Sequence, residues 1–181
     1  MGRKDSEIRA AIESMLESGS SGRRLKDYFD ALPDKRVRRA IGILSGIYPD
    51  KTAISDDDFS FVTHMFSDVR FMGQESFSGF VRAVNILSFT DRQKELLIDS
   101  IKNNIEILCS KCTFELDALL VSLFEPGELL RYLEALTGTG SPPVLQRVFA
   151  LLLYEDFLNG CGSDEKIEAL KQKISESQPE A

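Results

Sequence analysis

The chain of 181 residues predicts an all-α protein, a right-handed stack of antiparallel helical hairpins. Three observations carry that expectation. First, a phrase recurs: Arg39-Ala40-Ile41-Gly42-Ile43-Leu44-Ser45 returns 43 residues on as Arg82-Ala83-Val84-Asn85-Ile86-Leu87-Ser88. Arg131-Tyr132-Leu133-Glu134-Ala135-Leu136-Thr137 is a looser copy, and Tyr132 to Leu136 also echoes Tyr28 to Leu32. Self-similarity over tens of residues marks stacked supersecondary units. Second, apolar residues recur at helical spacing, and no stretch alternates with period two between hairpin turns. Third, helix-start signals punctuate the chain: Ser55-Asp56-Asp57-Asp58, Thr90-Asp91-Arg92-Gln93 and Ser141-Pro142-Pro143.

The elements follow in order. Asp5 or Ser6 opens a first helix to about Leu16, stopped by Gly19-Ser20-Ser21-Gly22. Arg24 to Leu32 is a second helix. Pro33-Asp34 turns the chain, and Asp34 is placed to cap a third helix. Val37, Ala40, Ile41, Leu44 and Ile47 give that helix one apolar face. Tyr48-Pro49-Asp50 ends it. A fourth helix starts at Ser55 with three aspartates at its positive end. Their spacing does not match a calcium loop. Phe77 to Phe89 is a fifth helix. A sixth, capped by Thr90, turns Leu97, Ile98, Ile101, Ile105 and Leu108 inward. Helices from Thr113 to Phe124, Glu128 to Leu136, Val144 to Leu158 and Ser163 to Ile174 complete the chain. Residues 1–176 thus read as one domain. It has hairpins near 24–47, 57–89, 91–124 and 127–157, capping helices at 5–17 and 163–175, and a frayed tail at 177–181.

Hydrophobic residues make up 43% of the chain, enough for a core. The net charge of −7 argues against a general nucleic-acid binder, which needs clustered cations. Yet residues 1–39 carry a balance of +3 and the remainder −10. Such a dipolar molecule can steer a partner by its field. Three cysteines and the absence of an apolar leader or spanning run point to a reducing, cytoplasmic setting without membrane insertion. Met1-Gly2-Arg3-Lys4-Asp5-Ser6 fits the loose myristoylation pattern but carries little weight.

The stretch Leu32-Pro33-Asp34-Lys35-Arg36-Val37-Arg38-Arg39-Ala40-Ile41-Gly42-Ile43-Leu44 resembles a HEAT-type repeat. Asp34, Val37, Arg38, Ala40 and Leu44 stand where that family has its turn aspartate, its Val-Arg pair and its inward positions. Phe80 to Leu87 keeps part of the pattern without the aspartate. The resemblance implies an α-solenoid with one face open to a partner. An orthogonal helical bundle is the alternative architecture.

Arg23, Arg24, Lys26, Lys35, Arg36, Arg38 and Arg39 are the main candidate for partner binding. Internal pairing with Asp27, Asp30 and Asp34 is the competing reading. Aromatic residues gather in the first half, from Tyr28 to Phe89, and any left exposed would be anchors. Cys109-Ser110-Lys111-Cys112, with Cys161 and the lone His64, makes a weak Cys3His metal set. A catalytic triad would have to use His64, which sits in an apolar helical segment. Phosphate-loop and dinucleotide fingerprints are missing. The expectation is a non-enzymatic protein-binding module needing no cofactor, in its most concrete form an immunity-type inhibitor that occludes a basic partner. The alternative is a nucleic-acid-binding or DNA-processing protein using the basic patch at 23–39.

Overall fold

The computed structural model describes residues 3–18, 20–48, 53–112, 114–153 and 164–177. These residues are helical, with no strand among them. The helices are α1 (Arg3–Leu16), α2 (Ser21–Ala31), α3 (Asp34–Ile47), α4 (Asp56–Met65), α5 (Val69–Met72) and α6 (Phe77–Asn85). They continue with α7 (Asp91–Asn103), α8 (Ile105–Lys111), α9 (Phe114–Leu123), α10 (Pro126–Thr137), α11 (Pro142–Leu152) and α12 (Asp164–Ser177). The expected end of the Val144–Leu158 helix, Cys161, the Ser163 cap and residues 178–181 lie outside the described residues.

Local chemistry explains most boundaries. Leu32 takes extended geometry before Pro33, which ends α2. Ser55 accepts the Asp58 N–H, and Thr90 forms a full capping box with Gln93. Several boundaries depart from the sequence pattern, beginning with α2, which starts at Ser21 inside the run read as a break. Pro33, not Asp34, is the N-cap of α3, and Asp34 sits in the first turn. The helix expected from 90 to Leu108 is cut at Asn104 into α7 and α8. There the Asn104 amide donates to Phe66 O (3.0 Å) and Ser100 O (3.1 Å), exchanging helix continuity for tertiary bonds. Finally, α6 stops at Asn85 rather than reaching Phe89, and Asp68 caps a single unexpected turn, α5.

Packing joins helices that are distant in sequence. One row runs α1, α3, α6, α9; a second runs α2, α4, α7; a third runs α5, α8, α11. Helix α10 packs on α9, α11 and α12. The N-caps Ser20, Ser55, Thr90 and Glu125 fall 35 residues apart. Within the first row Gly42 faces Ser76 and Ser45 faces Gly79, 34 residues apart. The polar bonds between helices keep similar spacings. Arg39 pairs with Asp5, Gly22 N–H with Asp57, His64 with Asp30, Arg82 with Glu115 and Asn104 with Phe66.

A single apolar core results. Phe29, Phe61, Phe66, Phe71, Phe77 and Phe80 are fully buried in its first half, with neighbouring ring centroids 5.3–6.2 Å apart. Leucines of α9, α10 and α11 fill the second half. Amphipathic end helices close the core: Ile8 and Ile12 of α1, and Ile167, Leu170 and Ile174 of α12, are buried, with polar residues outward.

Candidate functional site

The first row presents a wall to solvent. In α3 the buried stripe is Val37, Ala40, Ile41 and Leu44. Lys35, Arg38, Arg39, Gly42, Ile43 and Gly46, spaced by threes and fours, form the opposite stripe. With Asp5, Arg9 and Ser76 they line an open groove of about 580 Å³. Two glycines on the stripe keep its floor smooth: a Cβ at Gly46 would meet nothing within 4 Å.

The groove's cations are partly committed. Arg39 pairs with buried Asp5. Arg38 lies 2.5 Å from Glu75, and its carbonyl accepts from Ser76 Oγ. Farther along the wall Arg82 meets Glu115 at 2.9 Å. Among the described residues Arg23, Arg24, Lys26, Lys35 and Arg36 have no ion-pair partner. The geometry therefore gathers Lys35, Arg38 and Arg39 in one groove. Arg23 and Arg24 stand instead at the start of α2, where Asp57 accepts the Arg23 N–H at 3.1 Å. Arg36 lies near Tyr28.

The first-half aromatics, of which only any left exposed were expected to be anchors, pack into the core. Phe59, Phe61, Phe66, Phe71, Phe77 and Phe80 are buried, and Tyr28 and Phe89 are half-buried. The exposed large apolar side chains include Phe114 (67% exposed), Ile86 and Val121. Ile86 is the C-cap of α6, and Phe114 and Val121 lie on the outward stripe of α9. The helical period alone carried that signal: Phe114 and Val121 stand opposite the buried Leu116, Leu119, Leu120 and Leu123.

The sulfur chemistry is buried. Cys109 and Cys112 are free thiols inside the core, each pushed up to about 12 chiefly by burial. Such thiols are protonated and unreactive at neutral pH. His64 lies apart from them in its contacts. Its Nε2 is 2.7 Å from Asp30 Oδ1, and its ring stands edge-on to Phe71. Among the described residues the ligating atoms that converge are those of Asp30, His64 and Asp68, all within 4.8 Å of one another. Cys161 lies outside the described residues.

The buried pair Asp117–Arg147 joins α9 to α11 at 2.8 Å. Burial raises the Asp117 carboxyl to about 6, against the opposing pull of Arg147. The grooves are open to solvent, and no helix among the described residues is long and apolar enough to cross a membrane. Comparison with protein-family models, with curated proteins and with solved structures gives no match.

Proposed function

We propose that this chain is a non-enzymatic, HEAT-like α-solenoid that binds another protein through the wall formed by α1, α3, α6 and α9. One observation supports it above the rest. Helix caps recur every 35 residues, and inter-helix polar bonds join residues about that far apart. A chain whose units touch chiefly their neighbours builds long faces rather than enclosed pockets.

The wall combines what a protein interface uses: a mixed-charge groove at its α1–α3 end and exposed apolar side chains, Ile86, Phe114 and Val121, toward its α6–α9 end. On α3, Lys35 in the groove and Arg36 beside it have no ion-pair partner among the described residues, whereas Arg23 and Arg24 lie on α2, off this wall. On this wall the partner's contacting surface is acidic with an apolar centre, in place of the basic partner that the net charge of −7 alone suggests. An inhibitor that covers a partner's working surface is one form of this function.

Affinity capture tests the reading. The wild-type chain is expected to retain a protein that the Lys35→Glu, Arg36→Glu, Phe114→Ala variant releases. If nothing is retained, and labelled DNA or RNA binds with steep salt dependence, the nucleic-acid alternative takes its place.

A further inference from the structure

We propose that Asp30, His64 and Asp68 form a site for a divalent transition metal of the zinc class, fastening the end of α2 to α4 and α5. The three side chains come from three segments: the last turn of α2, the last turn of α4 and the N-cap of α5. Their ligating atoms already lie within 4.8 Å of one another. A tetrahedral ion with bonds near 2.0–2.1 Å holds its ligands about 3.3 Å apart, so side-chain rotation suffices to close the set. One imidazole nitrogen and two carboxylate oxygens suit zinc, cobalt or manganese better than calcium, which prefers six or more oxygens.

The surroundings favour a dication. Asp68 receives the Arg70 N–H on Oδ1 at 2.8 Å, which orients the carboxylate and leaves Oδ2 for a metal. The Arg70 guanidinium is an opposing charge close by. It lies 3.1 Å from Asp34 and donates to the carbonyls of Phe29, Asp30 and Leu32. Asp34 offsets that charge, so Asp30 and Asp68 keep two negative charges for the ion. Asp30 is exposed and His64 and Asp68 are half-buried, which leaves an entry path and room for a completing water.

Titration with Co²⁺, a paramagnetic substitute for zinc, reads the site directly. Amide resonances near residues 28–34 and 60–72 should broaden selectively, and Zn²⁺ should reverse the effect. Asp68→Asn keeps an oxygen for the Arg70 N–H, so the fold should survive; metal affinity should fall at least tenfold. His64→Ala should abolish the selective pattern. Broadening scattered over the acidic surface, centred on residues 105–115 beside the cysteines, or unchanged in Asp68→Asn would overturn the proposal.

Discussion

Gly22 illustrates how one residue sets the distance between two helices. A Cβ there would lie 2.0 Å from the Asp57 carbonyl oxygen, so only glycine lets α2 and α4 meet at their N-termini. The close approach brings Ser21 onto Asp58 and turns the Asp57 carboxylate toward the Gly22 and Arg23 N–H groups. Gly22→Ala should lower stability by about 3 kcal/mol, because backbone rather than a pliable side chain must yield. Gly46→Ala, with open space around it, should be neutral or stabilise by roughly 0.5–1 kcal/mol through helix propensity. Urea denaturation of both variants checks the contrast. The sequence showed Gly22 as a breaker within a Gly/Ser run; its role in close packing depends on Asp57, 35 residues away.

Asp117 gives a residue-scale pH prediction. Its folded pKa, about 6, stands above the ordinary 3.8, so the folded chain holds that proton more tightly than the unfolded one. Its contribution therefore favours the folded state at pH 4 and is lost as pH rises through 6, where the buried carboxylate must ionise. The difference in urea midpoint between wild type and Asp117→Asn should change across pH 4–6 and stay level from 7 to 8. A difference that is constant over the whole range would contradict the assignment.

At the scale of elements, the ends of α2 are finished by its neighbours rather than by its own sequence. Its start is served by Asp57, and its last carbonyls are taken by Arg70, whose guanidinium also lies 5.2 Å from the Phe71 ring centroid. Arg70→Met keeps much of the stem but strands those carbonyls, and should cost about 2 kcal/mol in thermal or urea unfolding. Nearby sequence cannot announce such caps. Local signals did place the Ser55 and Thr90 caps, because their partners lie three residues on. They missed the break at Asn104, whose amide is drawn to Phe66 from outside the helix. They also missed α5, a single turn too short to show a period.

For the whole molecule, the recurrent Arg-Ala-Ile phrase pointed to internal repetition but not to its register. It spaces units by 43 residues, whereas facing positions of α3 and α6 differ by 34 and the N-caps recur every 35. The phrase matched because both helices bury similar small and aliphatic residues; its third copy lies on α10, outside the α1–α3–α6–α9 row. All-helical character was legible from periodicity. The proposed wall was legible in part: Lys35, Arg38 and Arg39 fall on one stripe of α3, and the helical period of α9 sets Phe114 opposite its buried leucines. The central claim, a stack in which each unit leans on the next, is tested most directly by methyl–methyl NOEs in a sample labelled at Ile, Leu and Val. The account predicts cross-peaks linking α3 to α6 and α6 to α9, and none linking the methyls of α3 to those of α9 or α11. Abundant NOEs between units two or more steps apart would mean a closed bundle and would contradict it.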